Sequence, residues 1–280
     1  MKLGIGTVQF GQAYGVSNAR GQVPRAEAAA ILARAAQAGV GVLDTAANYG
    51  EAENVLAALN TAPFRIVTKT ISVRGGVAAV VARARASRAA LPRADTLLVH
   101  AADDLEEEGL WPALQALKRD GVFAKIGIST YVADDPTKLA ARFRPDVMQL
   151  PFSLLDQRLL ADGTLARLAG LGVEIHARSL FLQGLLLMPP EKLPDHLKTA
   201  APHLAALRKR LADAGITTLA AALGFVLARP QIAIGLVGVT GADELDGILA
   251  AAAQPLPALD WEACALHDAR ILTPSLWNTP

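Results

Sequence analysis

The sequence predicts an α/β protein built as a single closed (β/α)8 barrel, and two features of the 280-residue chain support this. Eight short runs rich in Val, Ile and Leu alternate with longer segments rich in Ala, Leu and Arg. Continuously apolar strands separated by amphipathic helices are typical of a parallel sheet that is covered on both faces. The runs recur at the spacing of one strand–helix unit, and eight such units favour a closed barrel.

The eight apolar runs are the predicted strands. They cover residues 3–7, 40–45, 65–69, 96–100, 125–129, 147–150, 173–178 and 234–238. An open dinucleotide-binding sheet would require G-x-G-x-x-G after its first strand, and "GIGTVQFG" lacks that spacing. Between the first two runs, Pro24 suits the first position of a helix and Gly39 its end. We therefore expect one barrel domain over residues 1–280.

The interval between the seventh and eighth runs is longer than the others. It contains the loop "SLFLQGLLLMPPEKLP", a helical stretch near 196–214 and a second from about Thr217 to Ala228. Barrel enzymes bind their ligands at the carboxyl ends of the strands. The insertion after the seventh strand is therefore expected to cover a ligand.

Composition excludes several classes of protein. The chain is 52% hydrophobic and 19% charged, which is enough apolar material for a large core. Its net charge of +1 argues against nucleic acid as a partner, because phosphate binding needs a basic excess. No run reaches the ~18 apolar residues that cross a bilayer, and the amino terminus does not resemble a secretory signal. A single cysteine, Cys264, forms no disulfide within the chain or cysteine-based zinc cluster, so we expect a cytoplasmic protein without a metal site.

Four polar side chains are expected at the ends of three neighbouring strands. The second run ends at Asp44, with Tyr49 in the loop behind it, in "LDTAANYGEAE". The third run ends at Lys69 and the fourth at His100. Each residue alone would be explained by capping or packing. Because barrel strands end at one common mouth, a carboxylate, a phenol, an ammonium and an imidazole are predicted to converge there.

Together these four groups are suited to protonating an oxyanion. The phenol of a tyrosine has an ordinary pKa near ~10, and a neighbouring ammonium stabilises its phenolate form. A carboxylate behind the ammonium holds it charged, and a neutral imidazole can orient a carbonyl oxygen. Such a site protonates the oxygen as a hydride reaches the carbonyl carbon. No side chain supplies a hydride, so a nicotinamide cofactor is required.

At these residues the sequence resembles the aldo-keto reductase superfamily, over nearly the whole chain. The initial "GIGT", "DTAANYGEAE", Lys69 in "VTK" and His100 in "VH" follow the family's pattern in order. The resemblance implies the (β/α)8 fold, NAD(P)H-dependent carbonyl reduction, and a catalytic tetrad of Asp44, Tyr49, Lys69 and His100 with Tyr49 as general acid. It also implies that the carboxyl-terminal tail "LTPSLWNTP" folds over the barrel mouth.

The resemblance extends to residues along the cofactor, through "MQLPFSLLDQR" and "HARSLFLQGLL". It implies that Ser129 and Gln149 hold the nicotinamide carboxamide. Arg178 stands where many members have a tyrosine that stacks on the nicotinamide ring, and a guanidinium plane can also stack. The other positions expected along the cofactor, with the pair at 179–180 near the pyrophosphate, are Thr7, Ser179, Leu180, Gly238 and Thr240.

The segment after the eighth strand departs from the family. It reads "GVTGADELDGILAA", residues 238–251, with Asp243, Glu244 and Asp246 but no Lys or Arg. Thr240 stands near the basic residue that binds the 2′-phosphate in many members. The family therefore implies NADPH. Three carboxylates disfavour a phosphate unless a distant basic residue reaches it, so the local charge leaves NADH open.

The substrate is expected to be a small molecule with a carbonyl group. Aromatic residues make up 5% of the chain, so a small or polar pocket is expected. The candidate walls of this pocket are Phe10, Tyr14, Phe152, Phe181 and Trp277.

Two alternatives use the same barrel. Lys69 at a strand end is also how Schiff-base aldolases place their nucleophile, although this would leave Tyr49 and Gln149 without a role. A barrel of the same family that does not catalyse, and acts as a nucleotide-sensing or partner-binding protein, would explain the departures in residues 238–251. Carbonyl turnover that depends on Tyr49 separates the reductase from both.

Overall fold

The strands form a closed parallel barrel, as predicted. In the computed structural model, which describes residues 1–277, each strand pairs with its sequence neighbours and the last pairs with the first. The strands are β1 (Leu3–Gly6), β2 (Val42–Asp44), β3 (Arg65–Lys69), β4 (Ala94–Val99), β5 (Lys125–Ser129), β6 (Val147–Pro151), β7 (Glu174–Arg178) and β8 (Ile232–Gly238). The predicted bounds of β3 and β5 are confirmed, and the other strands differ by one or two residues at one end or at both ends.

Helices surround the barrel. The α-helices of the described chain are α1 (Val8–Gly11), α2 (Arg25–Gln37), α3 (Ala52–Ala57), α4 (Val77–Ala90), α5 (Leu110–Arg119), α6 (Pro136–Phe143), α7 (Arg158–Ala161), α8 (Thr164–Gly170), α9 (Ala201–Asp213), α10 (Thr218–Leu227), α11 (Ala242–Ala252) and α12 (Ala269–Leu272). Short 3-10 helices cover Val73–Gly75, Ala102–Glu106, Val132–Asp134, Leu185–Leu187, Pro190–Lys192, Asp195–Ala200, Glu262–Cys264 and Pro274–Leu276. Pro24 precedes α2 instead of opening it, because its backbone is extended (ψ 149°). Gly39 follows the helix at φ +75°, as its predicted end requires.

The inside of the barrel is filled in layers, and this layering places the site. Val42, Val67, Leu98 and Val147 form a separate cluster of buried apolar side chains from four strands. Side chains alternate along a strand, so the residue two positions further on shares the same inward face. These strands therefore carry a polar side chain inward, at the carboxyl end, directly above an apolar plug.

The insertion after β7 contains the expected helices. A series of short 3-10 helices leads from β7 to α9. Helix α10 packs against β8, the strand that follows it in the sequence. Within residues 1–277 no single helix is long and apolar enough to span a membrane. One bent pair, Asp195–Asp213 with Thr218–Leu227 at 86°, passes that test by length and composition alone.

The carboxyl-terminal tail lies against the loops that follow β6 and β7. The amide of Leu266 donates to the carbonyl of Leu155 at 2.9 Å. The Trp277 ring lies 6.5 Å from that of His196, and its indole N–H donates to the Ile271 carbonyl at 3.1 Å. The last three residues of the predicted tail, 278–280, lie outside the described residues.

Candidate active site

The side chains of Asp44, Lys69 and Tyr49 meet at the carboxyl end of the barrel. The Lys69 ammonium donates to the Asp44 carboxylate at 2.6 Å, to the Thr45 carbonyl at 2.9 Å and to the Tyr49 hydroxyl at 3.2 Å. Burial by itself would lower the pKa of Lys69, but the charges and hydrogen bonds of Asp44 and Tyr49 raise it above its ordinary value. Lys69 is therefore a buried cation that links a carboxylate to a phenol.

Two glycines fix the loop that carries Tyr49. A Cβ atom on Gly11 would lie 1.7 Å from the Tyr49 carbonyl oxygen, and one on Gly50 would lie 2.3 Å from the Gly11 carbonyl oxygen. Gly50 also has a positive φ of 52°, which favours glycine. Only residues without side chains allow α1 and this loop to touch through their backbones. The "YGE" sequence thus sets the position of the phenol.

His100 completes the group. Its ring meets the Tyr49 ring edge-on, with centroids 5.7 Å apart. Burial, followed by the nearby charge of Lys69, lowers the pKa of His100 to about 4. Its Nδ1 atom is buried without a hydrogen-bond partner in the described part of the chain. His100 is therefore neutral at physiological pH and keeps hydrogen-bonding capacity.

Gln149 belongs to the same network. Its side-chain amide donates to the second carboxylate oxygen of Asp44 at 2.6 Å. Ser129 is in register with it on the neighbouring strand, and both line the cavity. The prediction that Ser129 and Gln149 hold a carboxamide stays a prediction, and the structure adds that Gln149 orients Asp44.

Arg178 lies at the same mouth, against an aromatic side chain. Its guanidinium lies over the Tyr131 ring, 4.3 Å from the centroid, and donates to the Thr130 carbonyl at 3.1 Å. Tyr14 lines the cavity nearby, where burial and the neighbouring Tyr49 raise its pKa. Sequence reasoning missed Tyr131, two residues after Ser129, as the ring against which Arg178 lies.

One cavity of about 790 Å³ joins these residues, which is within the size range of cofactor sites. The predicted site residues that line it are Tyr14, Asp44, Tyr49, His100, Ser129, Gln149, Arg178, Ser179, Leu180, Phe181, Gly238 and Thr240. Lys69 is 1% exposed and reaches the cavity through its contact with Tyr49.

Besides Lys69, four predicted residues do not line this cavity. Phe10 and Phe152 are fully buried in the core, where Phe152 packs on Phe225 with centroids 5.5 Å apart. The Trp277 indole donates to the Ile271 carbonyl, and its ring lies beside that of His196. Thr7 is fully buried, and its hydroxyl donates to the Asp44 carbonyl at 3.0 Å. In the structure, therefore, the phenylalanines lie in the core and Thr7 braces the end of β2.

The cavity lining includes a cation, Arg20, that pairs with a residue from a distant part of the sequence. Arg20 donates both terminal nitrogens to the Asp243 carboxylate, at 3.0 and 2.9 Å. Thr240 donates its amide and hydroxyl to Glu244, at 2.7 and 3.0 Å. Arg20 comes from the loop after α1, so a basic residue from another part of the sequence contacts the acidic segment 238–251. Sequence reasoning missed it, since nothing in "NARG" indicates a partner after β8.

The lining fits a nicotinamide dinucleotide. Gly6 and Gly238 are paired in register on β1 and β8 and leave backbone exposed to the cavity. Gln9 Oε1 is buried without a partner among the described residues, as is His100 Nδ1, and both residues line the cavity. Ser179 adopts φ +61°, a strained backbone that is commonly retained at ligand sites.

A polar site at the carboxyl ends of a (β/α)8 barrel is the arrangement of a barrel enzyme. The family model described as "Aldo/keto reductase family" matches residues 2–269. The chain therefore belongs to the aldo/keto reductase family, a family of oxidoreductases that generally use NAD(P)H.

One curated protein and two solved structures illustrate what this chain is similar to. An "Aldo-keto reductase" of Mycobacterium sp. (strain MCS) is 30% identical over 154 residues, 51% of this chain and 54% of the relative. This chain thus matches about half the length of that curated protein. The holo form of aldo-keto reductase AKR11C1 from Bacillus halodurans shares the fold, with a TM-score of 0.75 at 22% identity, covering 94% of this chain and 90% of its own. Its apo form has a TM-score of 0.70 at the same identity and coverage.

Proposed function

We propose that this protein uses NAD(P)H to reduce the carbonyl group of a small aldehyde or ketone to an alcohol. The observation that carries the proposal is the contact of the buried Lys69 ammonium with both the Asp44 carboxylate and the Tyr49 phenol. The bound nicotinamide supplies the hydride that reaches the carbonyl carbon. The protein supplies the proton and positions both reactants.

Tyr49 is the proton donor in this proposal. Its proton moves to the carbonyl oxygen as negative charge develops there, and the Lys69 ammonium stabilises the phenolate that remains. Asp44 keeps Lys69 charged, and Gln149 holds Asp44 in place. The next proton from solvent restores the phenol.

His100 orients the substrate. With its pKa near 4 it is neutral, so it donates a hydrogen bond to the carbonyl oxygen without competing as an acid. Along the cofactor, Ser129 and Gln149 would hold the carboxamide and Arg178 would lie against the nicotinamide ring. Ser179, Leu180, Gly238 and Thr240 would follow the remainder of the dinucleotide.

The contacts of Lys69 argue against a Schiff-base aldolase. A nucleophilic lysine must lose its proton and reach the substrate. Here the amine is 1% exposed, donates to three acceptors, and has a raised pKa. Borohydride trapping with a carbonyl substrate should leave Lys69 unmodified.

The test compares Tyr49→Phe with Tyr131→Phe, which removes a phenol hydroxyl from the same cavity. Nicotinamide oxidation and alcohol formation are measured together over a panel of aldehydes and ketones. Tyr49→Phe should lose about 100- to 10,000-fold in kcat while the nucleotide Kd changes by less than about twofold, and Tyr131→Phe should lose far less. Equal turnover in the two variants would remove Tyr49 from its role. Absence of turnover in the unmodified protein would favour the nucleotide-sensing alternative.

A further inference from the structure

The loop after α1 is fastened to both sides of the cavity. Asn18 organises it, donating to the carbonyls of Tyr14 and Gly21 at 3.0 and 2.9 Å. On one side the Ser17 amide and hydroxyl donate to the Gln183 carbonyl, at 3.4 and 3.3 Å. On the other side Arg20 holds Asp243 through two hydrogen bonds. Residues 14–21, here named the strap, therefore connect the loop after β7 with the start of α11.

The strap identifies the adenosine end of the cavity. A nicotinamide must lie beside Tyr49 to deliver its hydride, so the other half of the dinucleotide extends away from the tetrad within the same cavity. The lining contributed by the strap and by the segment after β8 includes Arg20, Thr240, Asp243 and Glu244. The adenosine ribose would therefore meet the Arg20–Asp243 pair.

Carboxylates outnumber cations at this end. Arg20 donates one N–H from each terminal nitrogen to Asp243, and this contact lowers the pKa of Asp243 to about 2. Glu244 is held by Thr240, and Glu27 accepts from the Ala242 amide at 2.7 Å. A ribose phosphate that approached Arg20 would lie beside the carboxylates of Asp243 and Glu244. A carboxylate that accepts two hydrogen bonds keeps capacity for hydroxyl donors.

Because Gly241 has no side chain, the Arg20–Asp243 pair can lie against its backbone. A Cβ atom there would lie 2.2 Å from a terminal nitrogen of Arg20 and 2.3 Å from Asp243 Oδ1. The ion pair thus packs directly on the backbone at the start of α11. The two side chains of the pair are 56% and 68% exposed.

We infer that the Arg20–Asp243 pair selects a dinucleotide with a free adenosine ribose diol, NADH, over NADPH. Asp243 accepts from the ribose hydroxyls while Arg20 holds its carboxylate in place. Carboxylates are suited to a 2′-hydroxyl, whereas free arginines are suited to a 2′-phosphate. The inference rests on the proposed function and names its cofactor.

The test measures the Kd of NADH and of NADPH separately, by fluorescence titration of the full-length protein and two variants. Asp243→Asn frees Arg20 and removes one repulsive charge. Asp246→Asn is the matched control, because Asp246 lies on the same helix in an exposed pair with Arg34 (2.9 Å) and does not line the cavity.

The unmodified protein should bind NADH at least about tenfold more tightly than NADPH. Asp243→Asn should raise NADPH affinity about tenfold and weaken NADH binding. Asp246→Asn should leave both Kd values within about twofold. Because Asp243 is exposed, the variant is expected to fold, and circular dichroism verifies this.

Two outcomes would overturn the inference while leaving carbonyl reduction intact. Tighter binding of NADPH, lost in Arg20→Gln, would make Arg20 a phosphate ligand. A preference for NADH that Asp243→Asn does not change would place the selection elsewhere. Failure of both nucleotides to bind would instead contradict the proposed function itself, so the two failures are distinguishable.

Discussion

The Lys69 ammonium lies 2.6 Å from the Asp44 carboxylate, and their side chains are 1% and 6% exposed. Two charges so deeply buried are tolerated only as a pair that is also hydrogen-bonded. The carboxylate has a second partner in Gln149, and the ammonium has two more acceptors in Thr45 and Tyr49. The same network therefore supports the stability of the barrel and would support the proposed proton transfer at its mouth.

Asp44→Asn is expected to lower the free energy of unfolding by about 3 kcal/mol, because it leaves a buried ammonium without a countercharge. Urea denaturation measures the loss. Asp120→Asn breaks the exposed pair with Arg85 at 3.1 Å and should cost less than about 1 kcal/mol.

The double variant Asp44→Asn/Lys69→Met tests whether the unpaired Lys69 charge causes the loss of stability in Asp44→Asn. It removes the stranded charge, so it should recover much of the lost stability while carbonyl reduction stays abolished. A double variant no more stable than Asp44→Asn would show that packing around Asp44, and not the unpaired charge, produces the loss.

The contact between Gly11 and the Tyr49 loop gives a second prediction. In Gly11→Ala the new Cβ would meet backbone atoms of Tyr49 and Ala52 at 1.7 and 2.5 Å, so the loop must move. A displacement of about 1 Å at a catalytic group can cost roughly 100-fold in rate. We expect a loss of that order in kcat. Gly170→Ala, where a Cβ meets nothing within 4 Å, is the control. Normal kcat in Gly11→Ala would show that the loop adapts without moving the phenol.

The lowered pKa of His100 predicts that the stability of the protein depends on pH. Its folded pKa of about 4 lies below the ordinary value, which is ~6.5 in the unfolded chain. Between these values the unfolded chain binds a proton that the folded chain does not, so stability falls as the pH falls. The contribution is complete above pH ~6.5, is lost by pH ~4, and is of the order of 2 kcal/mol once partial exposure is allowed for.

His100→Gln should remove this contribution. The measurement is the free energy of unfolding of both proteins at several values between about pH 7 and pH 4.5, together with the proton resonances of the histidine rings. The difference between the proteins should shrink as the pH falls. A His100 resonance that titrates at its ordinary value would contradict the burial effect.

The polar residues at the strand ends could be predicted from the sequence. The alternation of side chains along a strand places both the apolar core and the candidate site. Val42, Val67, Leu98 and Val147 face inward as a plug, and the residue two positions on faces the same way. The pattern of an apolar residue, a spacer and a polar residue is therefore visible in the sequence. Most of the tetrad follows from that rule, and Tyr49 from the family resemblance.

Contacts between distant loops could not be predicted in the same way. Arg20 and Asp243 are 223 positions apart, and each alone looks like a solvated charge. Phe10 and Phe152 were expected to be pocket walls, and both lie in the core. The reason is related, since an aromatic side chain near a strand end packs equally well in the core or in a pocket. Local pattern gives the inward face of a strand, whereas loop positions depend on packing across the mouth.

Glu174 gives the last prediction, at the amino end of the barrel. It accepts from His176 Nε2 at 2.7 Å, from Arg65 at 2.6 Å and from Lys125. The His176 hydrogen bond, with those of Arg65 and Lys125, outweighs burial and holds the pKa of Glu174 well below its usual range. A carboxylate with a lowered folded pKa contributes stability above its unfolded value of ~4.3, and this is lost on acidification below it.

Glu174→Gln is therefore expected to lower the free energy of unfolding by about 2 kcal/mol at neutral pH, since two partly exposed cations lose their countercharge. Nucleotide affinity should be unchanged, because Glu174 begins β7 and the cavity lies at the strand's other end. Glu106→Gln, which breaks an exposed contact with Arg142 at 3.6 Å, is the control and should have little effect. The difference between Glu174→Gln and the unmodified protein should narrow as the pH falls below ~4.3. A difference that stays constant with pH would assign the loss to packing instead of to the carboxylate charge.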